Sequence, residues 1–288
     1  MFAGFREEMV ETGEVSIRAR IGGAGPPLLL LHGHPQTSAM WHLVAPTLAE
    51  RFTVVAPDLR GYGASSKPET MPDHEPYSKR TMARDQIAVM RHFGFDRFMV
   101  AGHDRGGRVG YRLALDHPDR VERLAVLDIL PTVEHFQRAD MAFAMAYFHW
   151  FFLAQPSPLP ETMINANPDA YYLAGRRHLF APDALAEYMH WCHDPRTVWA
   201  MCEDYRAAAT YDYALDLADQ QAGRRITCPV QVLWGSKGVV GRLYDPLAVW
   251  ATWTGDLRGR ALDCGHYLAE EQPEETAAEL LAFFSDAG

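Results

Sequence analysis

Short apolar runs recur at residues 27–31, 53–56, 98–101, 124–127 and 230–234, and several are separated by helically spaced segments, as at 81–93, 108–115 and 274–284. Runs this short without polar alternation suit strands buried on both faces. Strands alternating with helices join into a mostly parallel sheet flanked by helices, which places the chain in the α/β class. The alternation lapses between about residues 131 and 225, where aromatic-rich helical patterns stand at 142–153, 182–192 and 196–208, the first cut off by Pro156, Pro158 and Pro160. An all-helical stretch within such a frame is read as an inserted helical cap over the strand ends, where it would enclose a site. The division expected is a core of 1–130 and 225–288 with a cap of 131–224. A peripheral helical subdomain without a catalytic part is the competing reading.

Charge narrows the partners. With 27 Lys plus Arg against 37 Asp plus Glu the net charge is −10, so nucleic acid is not expected to bind. The first fifteen residues carry Glu7, Glu8, Glu11 and Glu14 where a secretory leader would be basic and then apolar, and no later run is long and apolar enough to span a bilayer. Cys192, Cys202, Cys228 and Cys264 have neither zinc-ligand spacing nor a disulfide pattern. The expectation is a cytoplasmic protein that uses no membrane.

The run at 98–101 leads into Gly102-His103-Asp104-Arg105-Gly106-Gly107 and then a helical pattern. Strand, sharp turn and helix with flanking glycines form a nucleophile elbow, here holding Asp104 where Ser is usual. A carboxylate, with a reference pKa of about 3.9, is already ionised at neutral pH and needs no base to activate it. Its attack on an acyl carbon gives a mixed anhydride, whereas displacement at a saturated carbon gives an ordinary ester, which favours alkyl halides or epoxides as substrates. A helix-capping Asp is the alternative, and the flanking glycines and the partners below count against it.

Hydrolysing such an ester requires a base. His266, in Asp263-Cys264-Gly265-His266-Tyr267, follows the strand-like run at 259–262. Its place after the nucleophile matches the α/β-hydrolase order. The histidine needs an orienting acid. The stretch Val230-Gln231-Val232-Leu233-Trp234-Gly235-Ser236-Lys237-Gly238 offers none, so Asp128 in Leu127-Asp128-Ile129 is chosen, with Asp245 second. Oxyanion donors are expected from the backbone of Arg105 and of His34, in His32-Gly33-His34-Pro35-Gln36. Arg105 and Arg108, three residues apart, can both serve a substrate carboxylate, while Arg112 reads as a surface salt bridge. In the cap, His149 and Trp150 are neutral donors suited to a leaving halide, against the alternative that both only pack.

Together these segments resemble the fluoroacetate (haloacetate) dehalogenases of the α/β-hydrolase fold. The likeness runs from His32-Gly33 through Asp104-Arg105-Gly106-Gly107-Arg108, Leu127-Asp128-Ile129, His149-Trp150, Glu203-Asp204-Tyr205-Arg206 and Gly235-Ser236-Lys237-Gly238 to Gly265-His266. It implies Asp104 as nucleophile, His266 as base and Asp128 as its acid. It further implies Arg105 and Arg108 on the carboxylate of a small anionic 2-haloacid, and His149, Trp150 and Tyr205 around the halide. No cofactor or metal is implied, and a homodimer is. Two stretches depart from the family: its usual His-Gly-Phe-Pro carries His34 here, and its Phe-Gly-Trp stretch is replaced by Tyr172-Leu173-Ala174-Gly175-Arg176-Arg177-His178. Three rival functions follow: an epoxide hydrolase, a dehalogenase preferring chloro or bromo acids to fluoroacetate, and a non-catalytic ligand-binding protein.

Overall fold

The structure is a computed structural model that describes residues 1–286. Eight strands form one sheet in the order β1-β2-β4-β3-β5-β6-β7-β8. These are β1 (Arg6–Glu11), β2 (Ser16–Gly22), β3 (Pro27–Leu31), β4 (Thr53–Pro57), β5 (Phe98–His103), β6 (Val121–Leu127), β7 (Val230–Gly235) and β8 (Leu257–Leu262). From β4 to β8 every pairing is parallel, while β2 pairs antiparallel with both β1 and β4. Successive side chains enter opposite layers: Leu29, Leu31, Val100 and Val126 join one apolar cluster, and Leu28, Leu30, Ala101 and Leu127 the other. Burial on both faces explains why these strands carry no polar alternation.

The expectations missed β1 and β2 because charge interrupts them. In β2, Arg18 and Arg20 are buried yet paired, Arg18 with Asp58 and both with Glu187. Such strands read as surface until Asp58 and Glu187, 40 or more residues further along the chain, are known as the partners.

Between β6 and β7 the chain is helical, from Thr132–Gln137 to Tyr213–Gln221. The single helix expected at 142–153 is instead two, Met141–Ala146 and Phe148–Leu153. The break is Tyr147, whose backbone (φ −116°, ψ 39°) leaves the helical region. That turn lets Tyr147, His149 and Trp150 all face one cavity. Among the described residues no helix is long and apolar enough to cross a membrane.

Candidate active site

The candidate groups collect where the parallel strands end. β5 runs directly into Asp104 and the helix Arg105–Asp116. Asp104 has φ 46° and ψ −115°, a strained conformation for a residue with a side chain, and one that lifts it clear of strand and helix. Two glycines make room for the turn. A Cβ on Gly106 would lie 2.4 Å from the His32 carbonyl oxygen, and one on Gly33 would lie 2.6 Å from the Asp104 Cβ. Because Gly33 is bare, the next residue approaches closely, and the His34 N–H donates to Asp104 Oδ2 at 3.0 Å. The Arg105 N–H, the other expected oxyanion donor, lies at the opening of the helix that follows.

β6 leads directly into Asp128, also at positive φ (52°). One carboxylate oxygen accepts the Gly235 N–H at 3.0 Å, and the other accepts from His266 Nδ1 at 2.6 Å. Nε2 is therefore the ring nitrogen left for chemistry. The runner-up acid, Asp245, instead accepts the Ala248 N–H at 3.0 Å and caps the helix Pro246–Trp250.

Burial alone would raise the Asp104 carboxyl, but His266, His103, Arg108 and Arg105 outweigh it and hold that group well below the usual carboxylate range. Burial also depresses His266. The hydrogen bond and charge of Asp128, with the charge of Asp104, more than offset this and leave the imidazole raised. Burial pushes Asp128 up, and the His266 contact only moderates it.

Asp104 and His266 open into a cavity of about 210 Å³ that is also lined by His34, Tyr147, His149, Trp150, Tyr172, Arg176 and Tyr205. That volume is below the usual range for drug-sized ligands and suits a substrate of a few heavy atoms. Arg105 and Arg108 sit one layer back. The Arg105 guanidinium lies 4.2 Å from the Tyr205 ring centre, and that of Arg108 lies 4.5 Å from the Trp150 ring centre. Arg105 spends Nε and Nη2 on Asp204, at 2.9 and 2.6 Å, and Arg108 gives Nη1 to the Leu130 carbonyl at 2.9 Å. Each keeps one buried nitrogen without a partner, Nη1 of Arg105 and Nε of Arg108. Arg112 pairs with Asp216 and Asp219, a structural role as expected, although it is buried rather than at the surface.

Two features escaped sequence reasoning. In the sequence Asp204 stands only as part of a motif, yet it is fully buried and binds Arg105, Lys79 and the Tyr62 hydroxyl. Arg176, in the stretch that departs from the family, is exposed at the cavity's edge and is the one Lys or Arg among the lining side chains. Ala174 (φ 24°) and Gly175 (φ 83°) turn the chain after the helix Pro168–Leu173 and set it there.

The family model described as alpha/beta hydrolase fold matches residues 26–273. The chain belongs to that family. It is 48% identical to a fluoroacetate dehalogenase from Burkholderia sp, over all of this chain and 96% of that protein. A soluble epoxide hydrolase from Corynebacterium sp. (strain C12) is 34% identical, with 91% of each chain covered. The crystal structure of ALR0039 from Nostoc sp PCC 7120 superposes with a TM-score of 0.96 at 52% identity, covering both chains fully.

Proposed function

We propose that this α/β hydrolase is a dehalogenase of short 2-haloacids, with Asp104 as nucleophile. An Asp104 oxygen attacks C2 in line, the C2–halogen bond breaks, and the halide leaves with the bonding pair. His149, Trp150 and Tyr205 act as its hydrogen-bond donors. In this reading the free nitrogens of Arg105 and Arg108, behind Tyr205 and Trp150, reach the substrate carboxylate from the second layer, with Arg176 drawing anions to the mouth of a protein whose net charge is −10.

His266 Nε2 then takes a proton from water, and the hydroxide adds to the ester carbonyl carbon. The His34 and Arg105 N–H groups steady the oxyanion. Collapse expels the 2-hydroxy acid, which takes its proton from His266, and Asp104 returns as a carboxylate on losing one proton to solvent. Haloacetate thus gives glycolate, halide and a proton. The esterified Asp104 carries no charge, so one contribution that raises His266 vanishes at the step that needs a neutral base. Residues 131–224 serve as the cap in this reading, and the chemistry requires no cofactor.

The observation that carries the proposal is a carboxylate at the strained elbow facing a histidine held 2.6 Å from Asp128. Tyr147, Tyr172 and Tyr205 on the cavity wall are the observation that favours an epoxide hydrolase as the second reading. Halide release from fluoroacetate, chloroacetate and a neutral haloalkane, beside turnover of a small epoxide, separates the two. Release confined to the acids supports the proposal; epoxide turnover without release from any 2-haloacid refutes it.

A cytoplasmic setting is part of the same reading, supported by four unpaired cysteines. So is a homodimer. Of the large hydrophobic side chains exposed among the described residues, Met141, Met145, Phe148, Phe151, Leu159 and Met163 all belong to the proposed cap.

A further inference from the structure

His34 has a role its backbone does not exhaust. The ring is 8% exposed, lines the cavity, and leaves a buried Nδ1 without a partner. Its surroundings are those of the proposed halide donors. The Tyr205 ring centre lies 5.1 Å from that of His34, 5.7 Å from that of His149 and 6.3 Å from that of Trp150. His34 and His149 lie nearly parallel, 6.4 Å apart. The main chain of His34 is fixed beside the nucleophile, because its N–H is bound to Asp104 Oδ2 at 3.0 Å. A buried polar atom without a partner is costly and calls for an explanation, and a developing anion in the cavity supplies one.

We propose that the His34 imidazole is a fourth leaving-group donor and a specificity-determining residue for the halide. The inference rests on the dehalogenase reading above. Burial lowers this imidazole to about 4, so at neutral pH it is uncharged, with one N–H to give and no cation to trap the anion after departure. As the carbon–halogen pair moves onto the halide, His34 donates a hydrogen bond and keeps its proton. Fluoride, the smallest and most strongly accepting halide, gains most from one more donor.

The test is the single-turnover rate of halide release from fluoroacetate and chloroacetate. In His34→Phe the backbone N–H remains and the side-chain donor is lost. The fluoride-to-chloride rate ratio is expected to fall about tenfold or more. His34→Gln keeps an N–H and is expected to retain more of that ratio than His34→Leu, all variants being compared at matched thermal stability. Equal ratios in wild type, His34→Phe, His34→Leu and His34→Gln overturn the role of the side chain. Wild-type protein that releases no halide from any 2-haloacid defeats the parent reading instead, so the two failures are distinct.

Discussion

Asp204→Asn is the perturbation whose consequence follows most directly from the structure. One buried carboxylate faces two cations: it accepts Nε and Nη2 of Arg105 at 2.9 and 2.6 Å, holds Lys79, and accepts the Tyr62 hydroxyl at 2.6 Å. Lys79 has a second carboxylate, Asp212, at 3.4 Å, but Arg105 has no other. Asparagine preserves the shape and removes the charge, leaving a guanidinium uncompensated in the interior. Breaking a buried pair from one side costs about 3–5 kcal/mol. For 288 residues the unfolding entropy is roughly 0.6 kcal/mol/K, so Tm is expected to drop by about 5–8 °C. Thermal melts of Asp204→Asn beside Asp245→Asn, an exposed helix cap worth under about 1 kcal/mol, give the comparison. Burial opposes ionisation of Asp204, but Arg105 and Lys79 hold its carboxyl below the usual range. The pair's contribution is therefore present above the unfolded value and lost as pH falls through the depressed folded one. The stability gap should hold down to about pH 4 and narrow only in stronger acid. Because Arg105 also loses its anchor, KM for a 2-haloacid is expected to rise about tenfold, or 1.4 kcal/mol. If Asp204→Asn melts with the wild type and keeps its KM, Asp204 is not what positions Arg105.

Gly33→Ala would drive a methyl group to 2.6 Å from the Asp104 Cβ; halide release is expected to fall by at least about a hundredfold in steady-state assays, with the fold intact by circular dichroism. Glu270 is raised to about 7 by burial, against hydrogen bonds from Tyr188 and Gln36. With the folded value above the unfolded one, its contribution is full below about pH 4.5 and lost as pH rises through 7. Relative to Glu270→Gln, the wild type should lose about 3 kcal/mol between pH 4.5 and 9 in urea unfolding. Arg176→Ala is expected to raise KM for chloroacetate severalfold with kcat near wild type and to weaken the dependence on ionic strength, measured by halide release from 10 to 500 mM salt, roughly a sevenfold range of Debye length.

What the sequence disclosed was local. Asp104 and Asp128 each follow an apolar strand and His266 follows the short run at 259–262, so a strand and the residues after it sufficed to place them at the same end of the parallel strands. What it concealed depends on distant partners. Arg18 and Arg20 disguise β2 because Asp58 and Glu187 neutralise them from elsewhere in the chain. Asp204 looked like part of a motif until the fold brought it onto Arg105, 99 residues earlier in sequence. The placement of Arg176 depends on two consecutive positive-φ residues, of which the glycine alone was a visible signal. The break at Tyr147 had none, since neither Gly nor Pro marks it.

The central claim is a covalent ester on Asp104, and trapping it is the most direct test. His266→Gln removes the base and leaves the nucleophile intact. Mixed with chloroacetate and digested, it is expected to carry one carboxymethyl group per chain, on the peptide containing Asp104, with one equivalent of halide released and no further turnover. Halide released repeatedly, with Asp104 unmodified at every time point, would contradict the account and leave water as the attacking group.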